Sequence, residues 1–303
     1  MLPLDTQFLR GSIPPLVTPF RDGAVDYDAY AGLVEFQARN GSHGVLVNGT
    51  TSEPASLTIE ERNRLVDVAV EAAQGRLTVV AATGSQSYAE TETLTSHAAR
   101  HKGVDALLIV TPYYSRPPQR GIVEYYRRLN CLHQKPWMVY HIPGRTAVDV
   151  KIETVKEIDR CCPTFVGMKH ASLDLAFVTD VLAEVNEDLR IFVGLEELSF
   201  PMLAVGACGL MNAAGNLTPR PLAEMCEAVW AGDLFRARRL HRQLWEINKA
   251  IFWDTNPIPM KYMMKRIGIL PANEHRLPLV PAAVELTRRL DEVLERNGLV
   301  TCG

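Results

Sequence analysis

The residue types best able to do chemistry in this chain of 303 residues are a lysine, a tyrosine, a threonine pair and an arginine, each at or just beyond the end of a short apolar run. The run Thr164-Phe165-Val166-Gly167-Met168 closes on Lys169. If Phe165 to Met168 form a buried strand, Lys169 sits where that strand leaves the core, and desolvation there penalises its ammonium form. A neutral amine is a nucleophile suited to Schiff-base formation with a carbonyl substrate. The competing reading of this stretch alone is a strand-end lysine that snorkels to water. A second run ends in Tyr140-His141-Ile142-Pro143-Gly144-Arg145-Thr146. A phenol and an amine on neighbouring strands are what carbinolamine dehydration needs, because a proton must reach a departing hydroxyl. Arg145 above them could pair with a carboxylate in a bidentate fork. The stretch Asn48-Gly49-Thr50-Thr51-Ser52-Glu53-Pro54 is either a carboxylate cradle of hydroxyls and amides or an ordinary turn of small polar residues. In Thr111-Pro112-Tyr113-Tyr114-Ser115-Arg116, two tyrosines in a proline-stiffened loop suit packing or an interface.

The elements that must position these groups are legible as short β-branched runs alternating with helical patterns, the mark of repeated βα units around a parallel sheet. The predicted strands are Ser12–Val17, Gly44–Val47, Leu77–Ala82, Ala106–Val110, Trp137–His141, Phe165–Lys169, Arg190–Val193 and Gly209–Ala213. Amphipathic helices are expected over Asp26–Arg39, Thr58–Ala73 and Tyr88–His101, the second opened by a Thr58/Glu61 capping box. No G-x-G-x-x-G follows the first strand, so a closed TIM (β/α)8 barrel is expected rather than an open dinucleotide sheet. Beyond Pro219 only helical patterns remain, giving a barrel over residues 1–231 and a C-terminal helical extension over 232–303 packed on it. In such a barrel the site is built at the C-terminal ends of the strands, where the candidates above fall.

Composition narrows the function classes. Lysine plus arginine at 32 against aspartate plus glutamate at 35 gives a net charge of -3, no general reason to expect nucleic acid or an anionic membrane as partner. Arg236, Arg238, Arg239 and Arg242 read as a solvated or inter-helix face. The six cysteines, at 131, 161, 162, 208, 226 and 302, show neither zinc nor disulfide spacing. With reduced thiols as the default, no apolar leader in Met1 to Arg10 and no run near the roughly eighteen residues of a span, a cytoplasmic protein is expected.

Together, Gly49-Thr50-Thr51, Val110-Thr111-Pro112-Tyr113-Tyr114, Tyr140 with Pro143 and Arg145-Thr146, and Gly167-Met168-Lys169 resemble the dihydrodipicolinate synthase and N-acetylneuraminate lyase family of pyruvate-dependent class I aldolases, over nearly the whole chain. The resemblance implies that Lys169 is the Schiff-base lysine for pyruvate, Tyr140 the proton shuttle, Thr50 the relay hydroxyl and Tyr114 a relay tyrosine crossing a subunit interface. It further implies that Thr51 binds the pyruvate carboxylate, Arg145 grips the carboxylate of an aldehyde acid, and the backbone of Gly194 and Met211 lines the pocket. No cofactor or metal is expected, since the protonated imine is the electron sink. The partner implied is a second copy of the chain, as a homodimer or homotetramer.

Thr50-Thr51 and Arg145-Thr146 bring the chain nearer the synthase, whose aldehyde is aspartate semialdehyde, than the neuraminate lyase. Ser52, Pro54 and His170 depart from the synthase pattern and are expected to line the second-substrate side. Gly41-Ser42-His43, Ser52 to Thr58 and Asp254 to Pro257 also resemble a 2,4-dihydroxyhept-2-ene-1,7-dioate aldolase branch, which would use succinic semialdehyde. Two further alternatives are a 2-keto-3-deoxy sugar acid dehydratase or aldolase and a non-catalytic keto-acid-binding barrel. His97 and His101, four apart, have a helical metal-pair spacing but lack the glutamate of a metalloprotease pattern, so a solvent-facing helix is expected. By alternation His170 should point away from the pocket.

Overall fold

The computed structural model describes residues 5–300, so Cys302 and the first four residues of the N-terminal segment lie outside it. Its centre is one eight-stranded parallel sheet: β1 (Gly11–Ser12), β2 (Gly44–Val47), β3 (Thr78–Ala82), β4 (Ala106–Val110), β5 (Trp137–His141), β6 (Phe165–His170), β7 (Arg190–Val193) and β8 (Gly209–Leu210). The strands are hydrogen-bonded in the order β1-β8-β7-β6-β5-β4-β3-β2. The two ends of that order meet across a Pro15↔Leu46 bridge, with His43 N–H on the Ser12 carbonyl (2.9 Å) and Leu46 N–H on the Pro14 carbonyl (2.9 Å). The expected TIM barrel is therefore the fold. Strand β1 is shorter than the predicted Ser12–Val17, because Pro14 and Pro15 have no N–H to give a ladder. Asn216 makes good part of that seam, donating to the Pro15 carbonyl (2.8 Å) and accepting from Val17 N–H (3.3 Å).

Side chains alternate between two cores. Leu46, Val80, Leu108, Met138, Tyr140, Val166, Phe192 and Met211 fill the barrel, while Val45, Val79, Leu107, Val139, Phe165, Met168 and Ile191 pack outward against the helices. Each such side chain removed from water contributes roughly 1.5–3 kcal/mol. The predicted helices form over Tyr27–Arg39, Ile59–Ala73 and Tyr88–Arg100, capped by Asp26, Thr58 and Ser87, and the Thr58/Glu61 box is closed in both directions. The C-terminal helices are Pro219–Trp230, Leu234–Gln243, Trp245–Ala250, Ile258–Arg266 and Val284–Arg296.

Strand β6 carries an irregularity that decides the site. Trp137 pairs with Phe165 but Met138 with Gly167, so one extra residue is inserted in β6. Strict alternation from Val166, which points inward, would send Lys169 out to the helices. The inserted residue resets the phase, so Met168 packs outward and Lys169 faces the barrel. Gly167 permits it: its φ is +153°, and a Cβ there would stand 2.1 Å from the Arg190 carbonyl oxygen.

Candidate active site

Lys169 and Tyr140 are register partners on β6 and β5, 3% and 5% exposed. The lysine Nζ lies 4.4 Å from the centroid of the Tyr140 ring. Beyond the ring, the Tyr140 hydroxyl is 3.2 Å from Thr50 Oγ1, and either group can donate. A chain of amine, phenol and hydroxyl is thus assembled from three separate βα units. Gly194, after β7, gives the lysine its room, since a Cβ there would come within 2.9 Å of Lys169 Cε.

The threonine pair sits in a one-turn helix, Thr50–Ser52, directly after β2. Thr51 Oγ1 accepts a hydrogen bond from Asn256 Nδ2 at 3.0 Å, which leaves its own hydroxyl hydrogen to donate to an anion. The turn ends at Glu53, whose φ of +58° is left-handed. Glu53 is held by a buried ion pair to Lys261 Nζ (2.8 Å), a residue of the helix Ile258–Arg266, and the same ammonium donates to the Thr18 carbonyl (3.0 Å). Burial pushes the Lys261 ammonium below its ordinary pKa, and Glu53 opposes that shift. Ser52 does not line a substrate side as expected. It is fully buried, donates to the Leu16 carbonyl (2.6 Å), and its own carbonyl accepts from Thr18 (2.7 Å).

An inner cavity of about 270 Å3 is lined by Thr50, Thr51, Tyr140, Arg145, Lys169, Gly194, Glu196 and Met211. It shares Thr50, Tyr140, Ile142, Arg145 and Asn256 as walls with an outer cavity of about 300 Å3 reaching Pro54, Tyr113 and Arg276. Arg145, exposed in the turn Pro143–Thr146, stands between the two and has no carboxylate partner among the described residues. Tyr114 is not in either cavity. The loop holds it at φ +67° with its side chain 91% exposed, while Tyr113 lines the outer one.

His170 faces away from the cavity, so it does not line the second-substrate side. Its Nδ1 is 3.1 Å from His141 Nδ1, its Nε2 meets the Asp174 carbonyl (3.0 Å), and its ring stacks on Phe177. Burial, with His141 beside it, pulls its pKa down to about 4. His97 and His101 are each part-buried and turned towards Asp67 of the neighbouring helix, at 3.1 and 3.9 Å. Two further residues of the cavity are Asn256, which the motif resemblance touches only as part of Asp254 to Pro257, and Glu196, which no motif marks. Asn256 could have been sought from its place before Pro257 at a helix start, and Glu196 from being the first carboxylate after the seventh strand.

The family model described as the dihydrodipicolinate synthetase family matches residues 8–297. A 4-hydroxy-tetrahydrodipicolinate synthase of Thermus thermophilus is 42% identical over 292 residues, 96% of this chain and 97% of that protein. One of Aquifex aeolicus is 37% identical over 290 residues, 96% of this chain and 98% of the other. Among solved structures, dihydrodipicolinate synthase from Aquifex aeolicus superposes with a TM-score of 0.93 at 36% identity, covering 96% of this chain and 98% of that one. The enzyme from Acinetobacter baumannii, solved in complex with pyruvate, gives 0.92 at 30% identity over 96% of this chain and 100% of its own. By family model, sequence and fold alike, this chain belongs to the dihydrodipicolinate synthetase family.

Proposed function

We propose that this protein is a class I, pyruvate-dependent lyase that condenses pyruvate with aspartate semialdehyde, as a 4-hydroxy-tetrahydrodipicolinate synthase does. The observation that carries the reading is the amine, phenol and hydroxyl chain: Lys169 against the Tyr140 ring at 4.4 Å and Tyr140 to Thr50 at 3.2 Å. Lys169 Nζ adds to the ketone of pyruvate, and Tyr140 delivers the proton with which the carbinolamine hydroxyl leaves as water. Loss of a methyl proton from the iminium gives an enamine, whose carbon attacks the aldehyde. Thr50 and Tyr140 pass the protons these steps release and require. Thr51, its hydroxyl hydrogen left free by Asn256, donates to the pyruvate carboxylate, and Arg145 takes the carboxylate of the aldehyde. Gly194 and Met211 shape the wall around the imine.

The named relatives are synthases, and one was solved with pyruvate bound, which supports this reading over the heptenedioate-type aldolase, the sugar-acid dehydratase and the non-catalytic barrel. Tyr114, too exposed to serve its own cavity, completes the proton path from a second copy, so the working unit is a homodimer or a homotetramer. The region beyond residue 231 acts as an extension that braces the barrel, supported by the Asn256 and Lys261 hydrogen bonds to the loop after β2. A cytoplasmic setting suits the free thiols of Cys131, Cys161, Cys162, Cys208 and Cys226. The test is borohydride reduction with pyruvate followed by peptide mapping, then an aldehyde screen. An adduct at Lys169, absent in Lys169→Ala, with product formed from aspartate semialdehyde, is expected. A folded protein that gives no adduct removes the Schiff-base mechanism, and turnover of succinic semialdehyde alone removes the assigned aldehyde.

A further inference from the structure

Glu196 has no part in the chain of groups described above, yet it is the sole carboxylate among the described residues lining the cavity that holds Lys169. It opens the turn Glu196–Leu198 that follows β7 and is 2% exposed. One carboxylate oxygen, Oε1, accepts from Ala214 N–H at 3.2 Å. The other, Oε2, is buried with no hydrogen-bond partner. Buried carboxylate oxygens are rarely left so, because an unpaired charge away from water is costly. The other titratable groups lining this cavity among the described residues are Lys169 from β6, Tyr140 from β5 and Arg145 from the turn after it, so the basic groups that share the cavity with Glu196 are Lys169 and Arg145. Burial raises the Glu196 carboxyl to about 7, opposed first by the backbone N–H groups of Ala214 and of Glu196 itself and then by the charge of Lys169.

We propose that Glu196 is the counter-ion of the protonated Schiff base formed at Lys169, its unpaired oxygen reserved for a positive charge that appears only during the reaction. The inference rests on the Schiff-base reading of Lys169. Its proton balance is closed. A neutral amine and a ketone give a neutral carbinolamine; departure of the hydroxyl as water consumes one proton and leaves one positive charge on nitrogen. If Tyr140 protonates the departing hydroxyl and the proton of Glu196 makes good that loss over the same step, the cavity ends with an iminium and a carboxylate, and its net charge has not changed. A neutral acid before the reaction and an anion during it avoid burying an uncompensated charge in either state. Glu196 acts here as a positioning residue for charge, distinct from the groups that transfer protons to substrate.

The experiment is borohydride trapping of the full chain with pyruvate as a function of pH, in wild type, Glu196→Gln and Glu196→Asp. Borohydride reduces the iminium, and an adjacent anion raises the pH to which an iminium keeps its proton. Glutamine keeps an acceptor for Ala214 N–H and replaces the second oxygen by an uncharged amide nitrogen of nearly the same size. Trapping by E196Q is therefore expected to fall off at a pH lower by about one unit or more, a tenfold or greater loss of imine proton affinity, with E196D between the two. A purely structural Glu196 would change the folded fraction without moving that pH. Folded E196Q that falls off where wild type does overturns the proposal. Should E196Q not fold, E196D decides in the same way, an unmoved fall-off overturning it. A wild type that traps nothing at Lys169 at any pH overturns the Schiff-base reading itself, a failure separable from the others because it needs no variant.

Discussion

Replacing Lys261 by methionine separates the scaffolding of the site from its chemistry. Lys261 and Glu53 are both fully buried, paired at 2.8 Å, and the ammonium also serves the Thr18 carbonyl. Methionine keeps much of the volume but leaves Glu53 Oε1 without its donor, beside an Oε2 that makes no hydrogen bond and has only His275 Nδ1 near it, at 3.5 Å. Breaking a buried pair by removing one partner costs about 3–5 kcal/mol, because the remaining charge is stranded. With roughly 2 cal/mol/K of unfolding entropy per residue, a chain of 303 residues loses about 5–8 °C of Tm. Glu53 ends the turn that carries Thr50 and Thr51, so displacement of the stranded carboxylate also shifts both hydroxyls. A misplacement near 1 Å costs on the order of a hundredfold in rate. The assays are thermal unfolding and steady-state kinetics on Lys261→Met, beside the double variant Glu53→Gln/Lys261→Met, which removes both charges and recovers most of the stability. A single variant within about 1 kcal/mol of wild type, or a double variant no better than the single, refutes the reasoning.

Three further outcomes are expected. His170 titrates near 4 in the folded protein against an ordinary 6.5, so the unfolded chain binds more protons between those values and stability falls as pH drops through that window. The loss is on the order of 3 kcal/mol, read as the difference in Tm-against-pH slope between wild type and His170→Asn; parallel slopes would remove the assignment. Gly167→Ala forces a Cβ against the Arg190 carbonyl oxygen and is expected to abolish Lys169 trapping in any protein that still folds, whereas retained trapping would mean that the bulge is dispensable. If Tyr114 serves a neighbouring cavity, Tyr114→Phe and Lys169→Ala subunits, each weak or dead alone, regain activity when refolded together, since a mixed pair holds one complete site. Activity of the mixture no greater than the sum of its parts tells against the crossing.

The barrel was legible because its buried strands are β-branched runs of the right length, such as Ala106–Val110 and Arg190–Val193, separated by helices with clear capping signals. Strand β1 was misjudged in length because an apolar run containing Pro14 and Pro15 satisfies hydropathy without satisfying the ladder. The bulge in β6 left no mark in the pattern: periodicity counts residues, and only pairing to β5 reveals that one of them is extra. Departure from the motif puts Ser52 and His170 in the wrong surroundings for a related reason, although strand alternation alone turns His170 away from the pocket, as found. A departure from a motif tells which position has changed, while what its side chain touches is set by chain segments far away, Leu16 for one and His141 for the other. Glu196 escaped notice because a carboxylate after a strand is commonplace until its burial is known.

The junction between β1 and β8 bears on how the molecule is made. The first strand pairs with the last, Gly11 with Gly209, and the Val17–Asn216 hydrogen bond that reinforces the seam spans 199 residues. During synthesis the growing sheet therefore carries an open edge at its newest strand until residues near 216 have emerged. Closing so long a loop costs little more entropy than closing one half its length, but it must come last, so the order of events is set by connectivity. A ribosome stalled before Asn216 holds an unclosed sheet with its apolar interior uncapped, a substrate for chaperones, whereas release of the next few residues lets the ring shut.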